Sequence, residues 1–208
     1  MSDTRKKKKS YVGLIVFIWV FFIAAIAAFC TLLYINRETL AEDLGFTEKT
    51  TYTVNSDEKI NSLISVYFKA LAEADQESLK SCVTVPQQFD NMTTVEGRSK
   101  VITDYSDINC YYMPGPEQDS YIVFTVMNIT ISGVASKPLD IYKPIHIVKS
   151  GDGYLIDNSA QSQELQDYIN QLTLEKDIQD LYRMVKTDQD SKAASDPSFA
   201  EFMNKLNN

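Results

Sequence analysis

Histidine and tryptophan occur once each in this 208-residue sequence and cysteine three times, so the side chains that most often hold metals or serve as nucleophile and base are nearly missing. No H-E-x-x-H, G-x-G-x-x-G, G-K-[ST] or G-x-S-x-G is present, which removes the common zinc-protease, dinucleotide, P-loop and hydrolase signatures. The cysteines have no C-x-x-C spacing and give no zinc signature. Asp188 and Asp190 begin as a calcium loop does, but Lys192 stands where a third ligand is needed and the sixth-position glycine is lacking, so the segment reads as a solvated helix end. No catalytic residue, cofactor or metal is assigned. Positive charge is scarce too. After residue 35 the chain holds 15 Lys and Arg against 27 Asp and Glu, a net −12, which excludes the clustered basic surface that nucleic-acid binding rests on and disfavours lying flat on anionic lipid.

What the sequence has instead is one long uncharged run of twenty-five residues, 11–35, directly after the basic cluster Arg5, Lys6, Lys7, Lys8 and Lys9. At about 1.5 Å per residue the run reaches roughly 37 Å as a helix, enough to cross a hydrocarbon core of about 30 Å. Five basic residues before it and Arg37 alone just after it favour a cytoplasmic N-terminus and an exported C-terminal part. A cleaved signal peptide would share the basic start and a small-residue exit such as Ala25-Ile26-Ala27, yet the apolar character continues through Ile35. A lipoprotein reading would modify Cys30, but the bulky Phe29 precedes it. Ala24 and Ala28, at small-xxx-small spacing, would let two such spans approach closely.

The expected division is a basic stub over 1–10, a transmembrane helix over 11–35, a stalk over 36–54, one domain over 55–159 and a helical extension over 160–208. In the domain, Asn55 and Glu58 fit a capping box. Ile60, Leu63, Ile64, Tyr67, Phe68 and Leu71 follow at helical spacing as one apolar stripe. Asp75 caps a short second helix that Pro86 ends, and the pattern between Gln87 and Asp104 is weak. From Tyr105 the period becomes two, which predicts strands over 106–113, 120–132, 139–150 and 153–158. In the second of these Tyr121, Val123, Met127, Ile129 and Ile131 share one face and Ile122, Phe124 and Val126 the other, so both faces are covered. Pro144 marks an edge position or a bulge. The tail returns to helices, with a cap at Ser162, a stripe of Leu174, Ile178, Leu181, Tyr182 and Val185, and a last helix begun by Asp196 and Pro197. Its stripe of Phe199, Phe202, Met203 and Leu206 has to be buried, by docking on the parent domain in preference to meeting another protein.

A long amphipathic helix with Tyr67-Phe68 midway, a short helix after Ala74-Asp75, and a meander of long strands resembles the nuclear-transport-factor-2-like superfamily, in the single-anchor extracytoplasmic form found in Gram-positive, clostridial bacteria. The likeness spans about Asn55 to Ser159. It implies an α+β fold in which a bent antiparallel sheet packs on helices as a cone, with C-terminal helices added. Enzymes of that superfamily carry acid and base groups inside the cone. Here the resemblance points to Tyr67, Tyr112, Tyr121 and His146 as cavity-lining candidates, His146 being equally readable as a strand histidine that faces solvent or is satisfied in the sheet. Outside the cytosol, Cys82 and Cys110 permit a disulfide worth about 3 to 4 kcal/mol in the chain-entropy model, or two buried free thiols. The expectation is a membrane-anchored, extracytoplasmic, non-catalytic module that binds a partner protein or ligand. Alternatives are an exported enzyme or small-molecule binder using the cone cavity, and a subunit of a conjugation or secretion apparatus. The expected partners are the membrane, crossed once, and a protein partner or second copy, with no nucleic acid.

Overall fold

Both faces of the central β-strand are apolar, and the chain builds helices on either side of it. The computed structural model describes residues 51–206; the uncharged run, the basic stub and most of the stalk lie outside them. Among the described residues no helix is long and apolar enough to cross a membrane. The fold is α+β. Five antiparallel strands lie in sequence order, β1 (Thr53–Val54), β2 (Ile102–Pro114), β3 (Tyr121–Ile131), β4 (Leu139–Ser150) and β5 (Gly153–Ile156). Helices α1 (Glu58–Glu73), α2 (Gln76–Ser81) and α3 (Thr93–Ser99) precede β2, and α4 (Gln163–Thr173), α5 (Lys176–Ser195) and α6 (Pro197–Leu206) follow β5.

The first face of the sheet carries Val123, Met127, Ile129 and Ile131 of β3 and Ile145 and Ile147 of β4, packed against Ile60, Ile64, Phe68 and Leu71 of α1, Leu79 of α2 and Phe199 of α6. The second carries Ile122, Phe124 and Val126, packed against Leu165 and Ile169 of α4 and Ile178, Leu181 and Val185 of α5. Leu174, expected in that stripe, is 77% exposed because it sits in the break between α4 and α5. Pro144 falls within a bulge: Val123 and Thr125 of β3 face Ile145 and Tyr142 of β4, so β4 has one residue more. Since β5 pairs only with 147–150, Pro144 also lies where β4 has no second neighbour, and its missing N–H costs no ladder bond. The hairpin to β5 turns at Gly151, whose φ of 56° lies in the left-handed region.

Local chemistry sets the helix ends. Asp75 accepts from the amides of Glu77 and Ser78 at the start of α2, and Ser162 accepts from Leu165 at the start of α4. The cap of α1 is Asp57, which accepts from the amides of Lys59 and Ile60, and not Asn55. Asn55 is taken up by the sheet instead: its N–H donates to the Cys110 carbonyl at 2.9 Å and its side-chain oxygen accepts from the Cys110 amide at 2.8 Å. The end of the expected stalk is thus part of the domain, with β1 paired to Tyr111 and Tyr112 and Tyr52 edge-on to the Tyr111 ring at 5.0 Å.

The free stretch of β4 is closed by side chains. Leu139 donates its N–H to Asp188 at 2.7 Å, and its carbonyl accepts from Gln189 at 2.8 Å. Asp188, read from the sequence as part of a solvated helix end, therefore takes the place of a missing strand. Past this point the chain turns at Asp196, which accepts from the Ser136 amide at 2.8 Å and caps α6 through the amides of Ser198 and Phe199. This brings α6 from the second face round to the first.

Candidate functional site

Helix α3 ends three residues before β2, so it holds Arg98 above the first face of the sheet. The guanidinium centre lies 5.8 Å from the ring centre of Tyr105 on β2 and 5.1 Å from that of Tyr142 on β4, within cation–π range. Asp140 shares its face with Tyr142, two residues on. From the helical layer, the Phe68 ring centre lies 5.1 Å from those of both Tyr105, which it meets at a tilt, and Tyr142, which it meets edge-on, and Tyr67 is within electrostatic reach of Tyr142. Burial pushes the Tyr67 phenol far above its ordinary value, and the neighbouring Tyr142 adds to this. Burial raises Tyr105 as well, with Arg98 opposing it. The Asp140 carboxyl is raised by burial, against the Arg98 charge and a hydrogen bond from the Ile141 amide. Arg98 and Asp140 feel each other electrostatically but form no ion pair. The Arg98 Nε and the Tyr105 hydroxyl are buried without a hydrogen-bond partner.

Beside this cluster opens a cavity of about 350 Å³. Ile102, Ile129 and Ile131 form one side of it and Phe199, Phe202 and Met203 of α6 another, while among the described residues its charged lining is Arg98 and Asp140, with Gln189 as a further polar side chain. An apolar chamber with a few placed polar groups has the make-up of a small-molecule site.

The residues expected from the sequence go elsewhere. Tyr67 lies at the rear of the cluster and lines a second recess of about 300 Å³, which His146 also lines. His146 pairs with Ile122 in the sheet, on the second face, and is 3% exposed. Its Nε2 is 3.1 Å from Glu117 Oε2 and its Nδ1 3.3 Å from Asp157 Oδ2, so the imidazole is clamped between two carboxylates. Burial works to raise the Asp157 carboxyl, but hydrogen bonds from Ser159 and Thr84, together with His146, bring it below its ordinary value. Tyr112 and Tyr121 are at the far end of the sheet. The Tyr112 hydroxyl donates to the Asn61 side chain, and Tyr121 is edge-on to Tyr112 and Tyr154. Cys82 and Cys110 are both buried free thiols.

The sequence reading missed Arg98 and Asp140. Arg98 lies on a seven-residue helix with no apolar stripe, where periodicity has nothing to report. Asp140 did carry a signal: an acid within Leu139-Asp140-Ile141-Tyr142, which alternation places on the face of Tyr142. Comparison with protein-family models, curated proteins and solved structures found no match to this chain.

Proposed function

We propose that this protein is a single-pass membrane protein whose α+β domain, on the cone plan of the nuclear-transport-factor-2-like superfamily, sits on the extracytoplasmic side and acts as a non-catalytic binding module. The run 11–35 and its basic flank support the address. The cavity beneath α6 carries the binding reading. Its walls are mostly apolar, and its two charged groups suit recognition: a planar guanidinium presents a fork of donors that matches a carboxylate. The test is native mass spectrometry of the full chain, extracted from membranes in mild detergent. The chain is expected in the membrane fraction with a small molecule bound, and the bound species should be lost in Val101→Trp. That substitution narrows the cavity from a position that is already 41% exposed and so spares the core. A bound molecule that persists in a cooperatively melting Val101→Trp chain, or a chain that carries none, would overturn the reading.

A further inference from the structure

We infer that the cavity beneath α6 recognises a small zwitterion with an apolar body, an apolar α-amino acid or short apolar peptide, its carboxylate on Arg98 and its ammonium on Asp140. The inference rests on the binding-module reading and gives it a ligand class.

Two unlike charges, Arg98 and Asp140, line one largely apolar chamber. Groups of this kind, when buried, are normally paired. Arg98 and Asp140 lie close enough to influence each other, yet they form no ion pair, and the Arg98 Nε has no hydrogen-bond partner. Arg98 rests against the faces of Tyr105 and Tyr142 with its Nε buried and unpartnered, and Asp140 is served by the Ile141 amide. A ligand bearing only an anion would complement Arg98 and bring a like charge towards Asp140; one bearing only a cation would do the reverse. A phosphate dianion would meet the Asp140 carboxylate with double the repulsion. A zwitterion completes both, and its carboxylate can take the planar guanidinium fork in two parallel hydrogen bonds. Apart from Gln189, the remaining wall, with Ile129, Ile131, Phe199, Phe202 and Met203, offers apolar surface, which selects the body of the ligand. The volume of about 350 Å³ is at the low end for ligand sites and favours one or two residues over a longer peptide.

The experiment uses the full chain in mild detergent, with binding followed by calorimetry and by thermal shift. The probes are L-phenylalanine and L-leucyl-L-leucine as zwitterions, with 3-phenylpropanoate and 2-phenylethylamine as the single-charge analogues of phenylalanine. At least one zwitterion should bind and raise the melting temperature, and each analogue should bind at least tenfold more weakly than phenylalanine or not at all. Arg98→Gln should erase the preference for phenylalanine over phenylethylamine, and Asp140→Asn the preference over phenylpropanoate; Arg98→Lys should recover part of the first. The amino acid and the dipeptide distinguish the two sources of the same chemistry. Equal binding of phenylpropanoate and phenylalanine would reduce the site to an anion site, and equal binding of phenylethylamine would reduce it to a cation site; either overturns the inference. So does the failure of both zwitterions to bind a chain that melts cooperatively. A non-zwitterionic molecule co-purifying in the cavity would sink this inference while leaving the binding-module reading standing.

Discussion

Asp196 is the residue on which the position of α6 turns. The hydroxyl of Ser198 and the amide of Ser136 hold its carboxyl well below the ordinary carboxylate range. Its folded value is depressed, so the stability it contributes is present above the ordinary carboxylate pKa and is lost as pH falls through the lowered one. Asp196→Ala should therefore melt below the parent chain near about pH 7, and the gap should narrow steadily towards about pH 2. A gap that is constant with pH, measured by thermal unfolding, would contradict this role. Other single residues were legible to differing degrees. Asp75 and Ser162 act as the caps their sequence context implies, because capping is read from a few neighbouring residues. The cysteines were not decidable. Spacing along the chain says nothing of the distance between two Cβ atoms, and Cys82 at the end of α2 and Cys110 on β2 prove to be separate thiols in one core. Burial pushes Cys110 up to about 11, as expected of an inert structural thiol.

Among the elements, α1 and β3 were the most readable: α1 keeps one apolar stripe at helical spacing, and β3 is a run of 11 residues rich in β-branched and aromatic side chains. Short elements held by tertiary contacts left little trace. The two residues of β1 and the seven of α3 carry no period of their own; β1 is placed by the sheet, and α3 by α1 together with β2. The last helix was read as an apolar stripe that docks, and three of its four members do. Phe199 is 1% exposed, Phe202 and Met203 pack half-buried on the same core, and Leu206 is 66% exposed at the cavity rim. Phe199→Ala is expected to destabilise the domain by about 3 to 5 kcal/mol, the usual cost of emptying a buried aromatic position. Leu206→Ser should change stability by no more than roughly 0.5 kcal/mol. Equal small effects from the two substitutions in chemical denaturation would mean that α6 does not anchor on the first face in solution.

For the whole molecule, the α+β class and the meander of long strands followed from the switch of period at Tyr105. The cavity beneath α6 did not, because its parts are assembled only by the fold: Arg98 comes from a helix without a pattern, Asp140 from a strand, and Phe199 from a segment that must first travel round the edge of β4. The acidic balance beyond residue 35 bears on which partners are disfavoured and the basic cluster before residue 10 on the expected address. The proposed address decides what the domain can meet, since for an anchored chain a ligand or partner has to be on the same side of the membrane. Protease digestion of intact protoplasts carrying the full chain, with one epitope at each end, measures it directly. The account predicts that the C-terminal epitope is lost while the N-terminal epitope survives until the membrane is permeabilised. Survival of the C-terminal epitope in intact protoplasts, with both epitopes lost on permeabilisation, would contradict it.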